Sequence, residues 1–257
     1  MSAQRMKKHA PAFLVLALLV FVFFYDIWLL GLTWFDSAGL YLFFPWRMES
    51  NYSISDVAIL WGPYEGIPYQ FYLVKTLFHS LHFPLWNPLT LGGVPFFASS
   101  HKQVLDLTNF VYFFLGLPQA IHFQIALQVF LLGVFGYLLA YQWTSDKRAA
   151  LICAVAYAFS CHVISKTFWA PNIGDFMWVP LAILFGNKGA QTGETRYFIF
   201  FGMILSAIFL GGSDNYLPML LTYLGVFLIF EMGAAVRRGE WTGGLPHPSQ
   251  KSKTPPS

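Results

Sequence analysis

The chain has 257 residues, 56% of them hydrophobic and only 11% charged, against about 25% charged in an ordinary soluble domain. That balance excludes a disordered chain and argues against a single water-soluble core. A net charge of +3 is too small to imply a nucleic-acid partner.

A membrane-crossing helix needs about 20 mostly apolar residues. The first candidate runs from about Ala12 to Leu32, behind a basic N-terminus (residues 1–11) that carries Arg5, Lys7 and Lys8. The apolar run continues past Asp26 through Ile27-Trp28-Leu29-Leu30, and no small-residue cleavage site follows it. It therefore reads as an uncleaved span rather than a signal peptide. Residues 33–119 then form a long, aromatic-rich segment, and loops of that length are usually functional. Within it, Phe71, Leu73, Val74, Leu77, Phe78 and Leu81 alternate with Lys75, His79 and His82. That pattern predicts an amphipathic helix over Pro68 to Phe83, lying in the membrane interface and stopped by Pro84 and Pro88. Trp86 suits the headgroup level. Gly92-Gly93 before Pro95 permits a tight turn close to another backbone.

Further spans are expected at about 120–141, 149–168, 176–187, 197–212 and 216–235. Cys153 and Cys161 fall in the third and are expected to be small buried residues that cannot pair within one helix. The fourth is short: Phe176 to Gly186 makes a helix of only about 17 Å. The distribution of basic residues argues that it nonetheless crosses. With six spans, Arg5, Lys7, Lys8, Lys147, Arg148, Lys188, Arg196, Arg237, Arg238, Lys251 and Lys253 lie inside. Only Arg47, Lys75, Lys102 and Lys166 lie outside. Residues 12–238 thus read as the membrane domain, with both termini cytoplasmic and the 33–119 loop on the outer face. The Pro-, Gly-, Ser- and Lys-rich residues 239–257 read as a disordered cytoplasmic tail. The expected fold class is an all-α polytopic membrane protein of about six transmembrane helices.

On this topology Asp26, Asp36, Glu49, Asp56, Glu65, Asp106, Asp175 and Asp214 fall on the outer side. Acids contribute little to topology, so the bias is free to serve chemistry as a general base or a metal site. His162 and Lys166 are one turn apart and share a helix face. Ionisable groups at membrane depth commonly mark function, and Asp26 could pair with either. No nucleotide-binding Gly-rich loop, Ser-His-Asp signature or zinc spacing occurs.

Taken together, Ser55-Asp56-Val57, Pro63, the amphipathic stretch, Pro84-Leu85-Trp86-Asn87-Pro88 and Gly92-Gly93-Val94-Pro95-Phe96 resemble the YfhO-like bacterial membrane proteins. These are similar to C-type (GT-C) membrane glycosyltransferases. The resemblance continues, more weakly, through Ala156-Tyr157-Ala158-Phe159-Ser160, Trp178-Val179-Pro180-Leu181 and Gly211-Gly212-Ser213-Asp214. It implies sugar transfer from a lipid-linked donor on the outer face of a bacterial inner membrane, with a divalent cation as the only cofactor expected. The implied base or metal-binding acid is Asp56 or Glu65. The implied substrate-side residues are Trp86, Asn87, His162, Lys166, Asp175 and Asp214, with His162 or Lys166 placed to serve a leaving phosphate. Members of that family are longer, so the chain is expected to be an N-terminal portion or a truncated product. The competing reading is a non-catalytic polytopic protein, either a partner subunit or a carrier in envelope polymer or lipid export. A carrier should hold ionisable residues at the midplane of several helices, and these spans have few.

Overall fold

The computed structural model describes residues 3–32, 67–90, 92–98, 104–167 and 173–210, with isolated positions 218, 221–223, 225 and 226. The described part is mostly helical. Helix α1 (Ala3–Phe23) is followed after a one-residue break by α2 (Tyr25–Leu30), which ends on Gly31 in the left-handed conformation. Helix α3 (Ile67–Leu73) continues as a π-helical segment (Val74–His79). A small antiparallel hairpin pairs β1 (Trp86–Asn87) with β2 (Val94–Pro95), Trp86 opposite Pro95 and Asn87 opposite Val94. A 3₁₀ segment (Leu107–Phe113) leads into α4 (Leu117–Thr144). Then come α5 (Lys147–Ala158), α6 (Cys161–Thr167), α7 (Gly174–Thr192) and α8 (Thr195–Leu210).

Helix α4 is the hub, packing against α1, α5, α7 and the 3₁₀ segment, while α7 carries α8. Its 28 residues form the one helix, among the described residues, long and apolar enough to cross a membrane unaided. The main core joins Val20, Phe24 and Ile27 to Ile121, Ile125, Val129 and Leu132 of α4, and to Val163 and Met177. Small residues bring α4 and α5 close. A side chain at Gly136 would meet the Tyr157 ring at 3.3 Å and the Ala154 Cα at 3.9 Å. Glycine and alanine at such positions let the two helix backbones approach closely. Much of the outward surface is apolar as well, including Leu14 and Leu18 on α1, Ile152 on α5 and Met203 and Phe209 on α8.

Three local expectations need revision. The stretch expected to be helical to Phe83 stops at His79, because Leu81 adopts a left-handed backbone at φ 54° and the chain turns there, ahead of Pro84. The 149–168 run is two helices, α5 and α6, bent by 45° at Phe159-Ser160. Cys153 and Cys161 consequently sit on different helices, and both are exposed rather than buried.

Candidate polar site at the head of helix α4

The 3₁₀ segment begins at Asp106, whose carboxylate caps it. The Thr108 backbone N–H donates to Oδ1 at 2.7 Å and the Thr108 hydroxyl donates to the same oxygen at 2.8 Å. From α4, Gln128 Nε2 donates to Oδ2 at 3.0 Å and to Thr108 Oγ1 at 3.0 Å. One turn earlier, Gln124 Nε2 donates to Thr108 Oγ1 and to Asn109 Oδ1, both at 2.9 Å. The Tyr112 hydroxyl donates to Gln124 Oε1 at 2.7 Å, and Asn109 Nδ2 donates to the Val104 carbonyl at 3.2 Å. Every one of these side chains is buried. The first residue of α7, Gly174, closes the site. A Cβ there would overlap Asp106 Oδ2 and lie 3.2 Å from Gln128 Nε2.

Burial pushes the Asp106 carboxyl above its ordinary value, against the opposing pull of the Thr108 and Gln128 hydrogen bonds. Burial first, and then the Asp106 charge, push the Tyr112 phenol upward too, so it remains a donor. One acceptor in the cluster is unmatched: Gln128 Oε1 is buried without a hydrogen-bond partner. The arrangement can therefore hold one proton at Asp106 and fix the 3₁₀ segment, α4 and the start of α7 to one another. It does not suit a cation. Both carboxylate oxygens already accept from donors, which leaves Gln128 Oε1 as a single uncommitted oxygen beside them. Among the described residues no group of three or more His, Cys, Asp or Glu side chains could hold a metal ion.

The Pro84–Pro88 and Gly92–Phe96 motifs form one unit beside this cluster. Phe96 is fully buried against Leu73 and Val104, with Tyr69 and Tyr72 packed around it. Its ring lies edge-on to Tyr72 at 5.0 Å, and the Tyr72 hydroxyl donates to the Trp86 carbonyl at 2.6 Å. Val104 is in turn the residue whose carbonyl Asn109 holds, so the hairpin and the polar cluster are contiguous. The Trp86 ring lies over Gly93, which has φ +120°. A Cβ at 93 would stand 2.6 Å from Trp86 Nε1. Only glycine tolerates both the backbone and the approach.

No family model, curated protein or solved structure matches the chain.

The sequence candidates fare differently from one another. Asp56, Glu65 and Asp214 lie outside the described residues. Asp175 is the second residue of α7, and nothing is described of its side chain. Trp86 is exposed, whereas Asn87 is buried and engaged within its own turn, donating to Thr90 Oγ1 and accepting from the Leu89 N–H. His162 and Lys166 share α6, and the His162 ring meets Phe176 edge-on at 5.3 Å. Asp26 accepts from the Ile27 N–H in the first turn of α2. Asp106 stood among the outer acids but was not singled out. Its partners Thr108, Asn109, Tyr112, Gln124, Gln128 and Gly174 were missed. The usable signal was Gln124 and Gln128, two amides one turn apart in an otherwise apolar span, which require a buried polar partner.

Proposed function

We propose that the chain is a six-span membrane protein resembling the C-type glycosyltransferases. In this reading it transfers a sugar from a lipid-linked donor on the outer face of a bacterial inner membrane. The first five spans correspond to α1–α2, α4, the bent α5–α6 pair, α7 and α8. Both termini are cytoplasmic, and residues 33–119 form the outer segment. Two properties support a membrane location: the length and composition of α4, and the large apolar side chains exposed on α1, α5 and α8. Apolar exposure on several helices at once is what a lipid-facing surface would show.

The observation that carries the family reading is that its two most specific motifs pair with each other. The halves meet in one hairpin and seat it, through Phe96, on α3. Asp106 then acts as a positioning residue that ties the outer segment to α4 and α7. Asp56 or Glu65 serves as the base that takes the acceptor hydroxyl proton. The deciding assay is transfer of lipid-linked sugar in membranes containing Asp56→Asn or Glu65→Gln. Loss of transfer in one variant supports the reading, and full activity in both removes it.

A second reading, a non-catalytic partner subunit, is favoured by one feature. Asn87 and Asp106 both spend their polar atoms on hydrogen bonds within the protein, Asn87 in its own turn and Asp106 to Thr108 and Gln128, as structural residues do. Under that reading both acid variants leave function intact, and disrupting the Asp106 cluster abolishes it by unfolding the outer segment. A reporter fused after Asn187 tests the topology separately. It should read cytoplasmic, and an external reading would undo the six-span arrangement.

A further inference from the structure

The opposite end of α4 carries a second constellation, unrelated to the Asp106 cluster. The Lys147 ammonium, at the start of α5, donates to the Lys8 carbonyl at 2.9 Å, which draws the beginning of α1 against the α4–α5 corner. Lys8, Lys147 and Arg148 are all exposed there. Arg5 and Lys7 precede them in the sequence, and Asp146 is the one acid in either stretch. Asp146 is occupied as the N-cap of α5, accepting from the Arg148 N–H at 2.8 Å. Beneath the cations lies an aromatic floor. His9 Nδ1 is hydrogen-bonded to the Tyr137 hydroxyl at 2.9 Å, and its ring meets Tyr141 edge-on at 4.7 Å. Tyr137 and Tyr141 stack at 6.1 Å with an interplanar angle of 11°. Trp143, the last residue but one of α4, is 58% exposed.

Cations set just beyond a belt of Tyr and Trp, at the end of an apolar helix, match the depth at which phospholipid phosphates lie. An excess of positive charge there needs a negative partner, and the anionic headgroups of the cytoplasmic leaflet supply one. We propose that the α1–α4–α5 corner binds the headgroup of an anionic phospholipid, with Lys8, Lys147 and Arg148 facing its phosphate and Trp143 against its glycerol region. The site rests on the reading that α4 crosses the membrane with its Thr144 end at the cytoplasmic surface. The Lys147–Lys8 bond gives it a role beyond general attraction, because it holds one of these cations against the start of α1.

The test uses the full chain reconstituted in nanodiscs of equal phosphatidylcholine and phosphatidylglycerol. The lipids retained on the protein are then identified by native mass spectrometry. Wild type should retain phosphatidylglycerol in preference, and the preference should fall roughly five-fold for each cation removed in Lys8→Gln, Lys147→Gln and Arg148→Gln. It should also collapse for wild type in high salt, an arm that requires no variant to fold. Absence of preference in wild type, or a preference that survives both the triple variant and salt, overturns the proposal. Carbonate extraction separates the two levels. A chain released from membranes fails the membrane reading itself, whereas a chain retained without lipid preference fails this site alone.

Discussion

Asp106 and Gly174 are packed so closely that no side chain can stand at position 174: a Cβ there would overlap the carboxylate Oδ2. The contact joins the 3₁₀ segment to the first residue of α7 and fixes where that helix begins. Gly174→Ala should therefore displace either the carboxylate or the helix start. Overpacking of this kind costs about 1–3 kcal/mol. A lowered unfolding midpoint for the detergent-solubilised protein checks it, and an unchanged midpoint would show that the contact is looser than described.

Asp106 itself predicts a pH dependence. Its folded value is raised by burial, so the folded chain holds the proton more tightly than the unfolded one. Its contribution to stability is then complete below the ordinary value of 3.8 and is lost as pH rises through the raised folded value. Asp106→Asn, which resembles the neutral acid, should flatten that profile with little loss of stability at neutral pH. A half-turn of the Gln128 amide would give its unpartnered Oε1 a donor from the new Asn. Asp106→Leu instead strands the donors of Thr108 and Gln128, at a cost on the order of 3 kcal/mol. Thermal unfolding followed from acid to neutral pH distinguishes the three proteins.

The hairpin depends on glycine at position 93. Gly93→Ala places a methyl into the Trp86 ring and forces an L-residue to φ +120°, which should cost about 1–3 kcal/mol. Because Phe96 seats the hairpin on α3, the loss should appear as faster protease cleavage between residues 80 and 98. A cleavage pattern identical to wild type would mean that the turn tolerates the substitution.

Cys153 and Cys161 provide a probe of the environment of α5 and α6. Both thiols are exposed on the protein surface. If that surface faces lipid, an uncharged maleimide should label Cys153, near the middle of α5, in intact membranes, while a charged thiosulfonate should not. Equal labelling by the two reagents would place α5 in water.

Composition and periodicity alone determined the helical class, the apolar stretches and the turn at Gly92-Gly93, because these follow from neighbouring residues. Span length, glycine freedom and proline geometry act within a few positions of chain. The motif halves around Trp86 and Phe96 could be recognised as features for the same reason. Only the tertiary structure decided that they pair, that the helix from Ile67 ends at His79, and that the α5–α6 run bends at Phe159-Ser160. It also singled out Asp106 among the chain's acids. No local rule separates a solvated carboxylate from one sealed beneath Gln124, Gln128 and Gly174. That difference lies in which distant residues exclude water from it and which donors they bring.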